Sequence, residues 1–80
     1  MQTTVAEIQK NAVEVVRVSL TEFKGHQLVD LRVYFLDDSD EFRPSKKGVC
    51  LKPDLLGEVI QALERAQLEL KKGDSNAGQE

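Results

Sequence analysis

Nine residues of the 80-residue chain combine positive charge with flat rings: Phe23, Lys24, His26, Arg32, Tyr34, Phe35, Arg43, Lys46 and Lys47. Cations can track a phosphate backbone while aromatic faces stack on unpaired bases, each stacked base contributing about 1–3 kcal/mol, so this mixture suits single-stranded nucleic acid. Other chemistries fare worse. Cys50 has no base near it in the sequence, and no grouping of serine, histidine and aspartate can be assembled around the one histidine, His26. One cysteine and one histidine supply neither a disulfide framework nor the ligands of a zinc site. The carboxylates Asp37, Asp38, Asp40 and Glu41 suit hard cations by type but lack the spacing of a calcium loop. No phosphate-cradling glycine loop is present. The chain is expected not to be an enzyme and to use no cofactor and no metal.

The chain is acidic overall, with 14 Asp and Glu against 11 Lys and Arg and a net charge of −3. That balance argues against an ordinary duplex binder, which carries a basic excess. Positive charge is local instead: between Phe42 and Leu51 stand Arg43, Lys46 and Lys47 and no acid. At 40% hydrophobic residues the chain should fold. A single domain of this length buries only about 60% of its unfolded surface. With disulfides and metal set aside, self-association is the remaining way to make up that deficit. No stretch approaches the ~20 apolar residues of a membrane span, and the first residues carry no basic leader or apolar core. The expected location is the cytoplasm, near the nucleoid, for a bacterial or phage protein and the nucleus for a eukaryotic one, with no membrane partner.

The elements that must position these residues read as α+β. Residues 1–11 are mixed and polar and are expected to form a flexible arm ahead of a folded domain at 12–72. From Ala12, β-branched residues with alternation on Val16, Val18 and Leu20 predict a strand. A turn over Phe23, Lys24, Gly25 and His26 closes a hairpin, with Gly25 free to take a positive φ. The next strand runs from about Gln27 to Leu36, with Val29, Leu31, Val33 and Phe35 on one face and Leu28, Asp30, Arg32 and Tyr34 on the other. Asp37, Asp38, Ser39 and Asp40 form a turn, because Asp and Ser side chains bond their own backbone. A short extended piece at Glu41 to Arg43 before Pro44, a loop from Ser45 to Gly48 and a short strand Val49 to Leu51 complete a mostly antiparallel sheet of four strands.

A C-terminal helix starts at Pro53, where proline suits the first turn and Asp54 complements the dipole. It closes on Lys71 and Lys72 before Gly73, and residues 73–80 are expected to be a disordered tail. Its apolar stripe, Leu55, Leu56, Val59, Ile60, Leu63, Ala66 and Leu70, recurs at helical spacing. About 18 helical residues span roughly 27 Å, more than a narrow sheet can cover. The overhang predicts a homodimer through the helices, with Leu56, Val59, Ile60 and Leu63 at the interface. Gly57, unfavourable inside a helix, implies a close backbone approach there.

Three segments then carry a specific likeness: Val18-Ser19-Leu20-Thr21-Glu22-Phe23-Lys24-Gly25; Leu28 to Arg32 with Tyr34 to Asp37; and Arg43-Pro44-Ser45-Lys46-Lys47-Gly48-Val49-Cys50-Leu51-Lys52-Pro53. In this order and spacing they resemble the core of the positive cofactor four (PC4) family of transcriptional coactivators, without gaps from about Arg17 to Pro53. The resemblance implies a β-β-β-β-α unit that dimerises through its helices and binds single-stranded or unwound DNA across the paired sheets. Carried over position by position, it implies DNA contacts from Phe23, Lys24, His26, Arg32, Phe35, Arg43, Lys46 and Lys47. His26 stands where that family has lysine, Phe35 where it has a stacking tryptophan, and Lys52 where it has a helix-capping asparagine. These departures imply a weaker phosphate contact and a smaller platform, in a bacterial or phage form of the DNA-binding core. Strict alternation sets Phe35 and Arg32 on opposite faces of one strand, so both meet one ligand only if a bulge or strand twist near Tyr34 intervenes; otherwise Phe35 is core.

The function expected from these readings is sequence-tolerant binding of single-stranded or unwound DNA in transcription regulation, or in replication and repair, in contact with that machinery. The alternative is a dimeric protein-interaction module that uses the acidic turn and helix and ignores nucleic acid.

Overall fold

The computed structural model of the chain describes residues 2–72. Four strands, β1 (Gln2–Asn11), β2 (Glu14–Phe23), β3 (His26–Leu36) and β4 (Phe42–Leu51), precede one helix, α1 (Pro53–Lys72). The sheet is an antiparallel meander in the order β1-β2-β3-β4. The expected fold class holds, yet the four strands are not the expected four.

Residues 2–11, expected as part of an arm, are the edge strand β1. The chain turns back at Asn11, whose Oδ1 accepts the Val13 amide at 3.0 Å while its Nδ2 donates to Glu14 Oε1 at 2.7 Å, the local bonding that makes asparagine a turn residue. A register shift at Val5 breaks the alternation that would have marked the strand in sequence. At the other edge, the two short pieces expected around Pro44 are one continuous strand, β4. Pro44 is tolerated because an edge strand has a side that needs no donor. The expected tail, residues 73–80, lies outside the described residues.

The β2–β3 hairpin closes through a two-residue turn in which Lys24 (φ 52°) and Gly25 (φ 81°) both take positive φ. This is the twist-matched turn of tight hairpins. The β2–β3 register then runs unbroken from Phe23↔His26 to Glu14↔Phe35, which defines two faces. One, the polar face, carries Val15, Arg17, Ser19, Asp30, Arg32 and Tyr34. The other, the apolar face, carries Val16, Val18, Leu20, Val29, Leu31, Val33 and Phe35.

The buried core is small: Val15, Val29 and Tyr34 are its hydrophobic members, and Ser19 and Asp30 are buried with them. Arg17 roofs the polar face, with its guanidinium 4.4 Å from the Tyr34 ring centroid and 5.8 Å from that of Phe42, and Nε 2.7 Å from Glu7 Oε2. The molecule is flat, 43 × 36 × 18 Å. Helix α1 meets the sheet chiefly along β3, and none of its residues is buried. Leu56 and Val59 are half-covered, whereas Ile60 and Leu63 are exposed, Leu63 at 59%. Among the described residues nothing lies within 4 Å of a β-carbon placed at Gly57, so the close backbone approach expected there is not made by them.

Candidate nucleic-acid interface

The residues expected to contact DNA fall into two groups with Arg32 between them. The first group sits at the β2–β3 turn, where Phe23 is 60% exposed and Lys24 lies over its ring, Nζ 5.4 Å from the centroid. His26 faces Phe23 across the strand pair. Between this turn and the start of α1 opens a cleft of about 600 Å³ lined by Phe23, His26, Leu28, Lys52 and Asp54 among others. Lys52, read from sequence as a basic residue standing at a lost helix cap and not as a DNA contact, thus joins the ring and the imidazole at one site. It enters because Val29 pairs with Leu51, so the residue after β4 returns to the turn end of the β2–β3 hairpin.

The second group lies along β3 away from the turn, with Phe35 roughly 30 Å from His26 given about 3.4 Å per residue. Phe35 pairs with Arg43, and both side chains stand on the apolar face. The bulge that would have brought Phe35 round to Arg32 is not in β3. It falls in β4, where the pairs Arg32↔Gly48 and Tyr34↔Pro44 leave Ser45, Lys46 and Lys47 opposite Val33 alone. Phe35 and Arg32 therefore remain on opposite faces. Phe35 is not core either, since it is 40% exposed. Lys47 borders a shallow apolar hollow made by Val16, Leu31, Val33 and Val49.

Two of the expected contacts are already engaged within the chain. Arg32 donates from Nε and Nη2 to Asp30 Oδ2 and Oδ1 at 3.1 and 2.9 Å, and this pairing raises its already high pKa. Arg43 donates from Nε to Asp37 Oδ2 at 2.6 Å and stands 3.6 Å from Glu41. Asp37 is the hub of its turn: Oδ1 also accepts the Ser39 and Glu41 amides at 2.8 and 3.0 Å. The Arg43 bond first, and then those amides, hold its carboxyl below the usual aspartate range. By contrast, among the described residues Lys24, Lys46, Lys47 and Lys52 form no ion pair. Tyr34, one of the nine residues singled out by type, is buried beneath Arg17 and offers no face to a base.

A profile of the family described as Transcriptional Coactivator p15 (PC4) matches residues 10–62. The RNA polymerase II transcriptional coactivator SUB1 of Saccharomyces cerevisiae is 41% identical over 46 residues, which cover 56% of this chain and 16% of that protein. The chain thus spans only a small part of that relative's length. Among solved structures, a PC4 homolog from Burkholderia pseudomallei in its tetragonal crystal form superposes with a TM-score of 0.80 at 34% identity, covering 84% of this chain and 98% of the other. A bacteriophage T5 homolog of the coactivator PC4, implicated in recombination-dependent DNA replication, shares the fold with a TM-score of 0.62 at 23% identity, covering 91% and 81%. The motifs quoted from Arg17 to Pro53, the β-β-β-β-α architecture and the family match over residues 10–62 agree, and the chain belongs to the transcriptional coactivator p15 (PC4) family.

Proposed function

We propose that the protein is a homodimeric, non-enzymatic binder of single-stranded or unwound DNA, tolerant of sequence, that serves transcription or replication and repair. One observation carries this reading: in an acidic chain, four of the five described lysines outside ion pairs, Lys24, Lys46, Lys47 and Lys52, stand beside the exposed ring of Phe23 and on the bulged edge strand, the fifth being Lys71 at the end of α1. Unpaired cations next to an open ring favour a phosphate backbone with unstacked bases. Direct contacts are assigned to Phe23, Lys24, His26, Lys46 and Lys47; Phe35 and its β4 partner Arg43, on the face of the sheet opposite Arg32, are assigned to DNA that wraps the β4 edge, with Arg32 bracing the bulge. The dimer supplies what the single chain lacks, for its buried core is small while Ile60, Leu63 and Leu70 stay exposed along one helix. Residues Leu56, Val59, Ile60 and Leu63 form the proposed interface.

The alternative, a protein-interaction module reading the acidic turn, is disfavoured because the Asp37 carboxylate is consumed by Ser39, Glu41 and Arg43. The test is a gel shift with an oligo-dT of about 20 nucleotides, repeated with Lys46→Ala combined with Lys47→Ala. Binding that weakens in the double variant and loses about 1.4 from its salt slope supports the proposal, at about 0.7 per phosphate contact. An unchanged slope removes the bulge from the site.

A further inference from the structure

The β4 bulge is stitched shut by one hydroxyl. Bulged residues ordinarily leave backbone groups without ladder partners. Here Ser45 Oγ donates to the Val33 carbonyl oxygen at 2.8 Å and accepts the Lys47 amide at 3.0 Å, the one donor and one acceptor role a hydroxyl can fill together. The Ser45 carbonyl in turn accepts from Arg32 Nη1 at 3.1 Å, and the same guanidinium is clamped by both oxygens of the buried Asp30. Hydrogen bonds therefore run without a break from the Asp30 carboxylate through Arg32 and Ser45 to the backbone of Lys47, and Lys46 is enclosed between the two bonded residues.

We propose that Ser45 is a positioning residue for nucleic-acid binding: its hydroxyl, braced by the Asp30–Arg32 pair, fixes the bulge so that Lys46 and Lys47 present their charges to a phosphate backbone in one arrangement. The proposal rests on the single-stranded DNA reading above. A preorganised pair of cations gives up less freedom on binding than a mobile one, so the gain appears as affinity without any contact from Ser45 itself.

The experiment compares the full chain with Ser45→Ala and Ser45→Thr, leaving both lysines in place, by amide exchange at Lys47 and by oligo-dT binding over a range of salt. In Ser45→Ala the Lys47 amide should exchange at least about tenfold faster, with affinity down roughly three- to tenfold, the range one lost hydrogen bond allows, and the salt slope reduced by up to about 0.7. Ser45→Thr, which keeps the hydroxyl, should restore both. Should Ser45→Ala fold poorly, Ser45→Gly replaces it. The proposal is overturned if the alanine variant exchanges Lys47 as slowly as the parent, or if it exchanges faster yet binds with unchanged affinity and slope. A parent that leaves oligo-dT unbound overturns the DNA reading and this role together, whereas a parent that binds no better than the alanine variant overturns this role alone.

Discussion

Gly48 on β4 lies so close to Arg32 on β3 that a β-carbon added at Gly48 would stand 2.9 Å from the Arg32 Cα and 2.6 Å from the Leu31 carbonyl oxygen. Only glycine lets the strand return to register directly after the Ser45–Lys47 bulge. Gly48→Ala should destabilise the fold by about 1–3 kcal/mol, as overpacking against backbone does, and chemical denaturation measures it. Stability within ~0.5 kcal/mol of the parent would show that the close approach can relax.

Lys24 carries a different conflict. Its φ of 52° lies in the left-handed region, which costs an L-residue roughly 1–2 kcal/mol, whereas asparagine favours it in this kind of turn. Lys24→Asn should raise stability by about 1 kcal/mol while weakening oligo-dT binding and lowering the salt slope by about 0.7. A variant that gains stability and binds as before would take Lys24 out of the interface.

How far the sequence could reveal this arrangement depends on the strand. Alternation located β2 and β3 because Val16, Val18 and Leu20 share one sheet face with Val29, Leu31 and Val33, although buried Val15 lies on the other face, and the proline, aspartate and lysines that bound α1 mark both its ends. It failed on the edges. All of β1 is exposed and a bulge interrupts it, so it has no periodicity to detect, and Pro44 and the bulge disguise β4 in the same way. At the site, residue type identified the cations but not their partners. Asp30 and Arg32, two apart on one face of β3, stand within reach of each other by alternation alone, whereas the hold of Asp37 on Arg43 follows from the folded turn and Lys52 enters the site through the return of the chain after β4.

The turn at Asp37 should respond to acid in a defined direction. Its carboxyl is lowered in the folded protein, first by Arg43 and then by the Glu41 and Ser39 amides. Its contribution is therefore fully present above the unfolded value of about 3.9 and is lost only as pH falls through the lower folded value. Amide signals of Ser39 and Glu41 should hold steady down to about pH 4 and move below it, and Asp37→Asn should abolish that step. A midpoint at or above the ordinary aspartate value would contradict the bonding.

Leu63→Arg separates a lone chain from a pair. Leu63 is 59% exposed within one chain, so for a monomer the change should stay within about 0.5 kcal/mol, the scale of a surface substitution. The proposed helix interface predicts a larger loss of stability and a shift to monomer by sedimentation. A dimer that survives would place the interface away from Leu63.

The most direct measurement is fluorescence anisotropy of a labelled thymidine oligomer of about 20 nucleotides, titrated with the purified protein beside a duplex of similar length over a range of salt. Saturable binding that prefers the single strand, with a salt slope of about −2 from the three lysine contacts at about 0.7 each, is the expected result. An oligomer that still tumbles freely at low ionic strength, or one bound no better than duplex, would contradict the account.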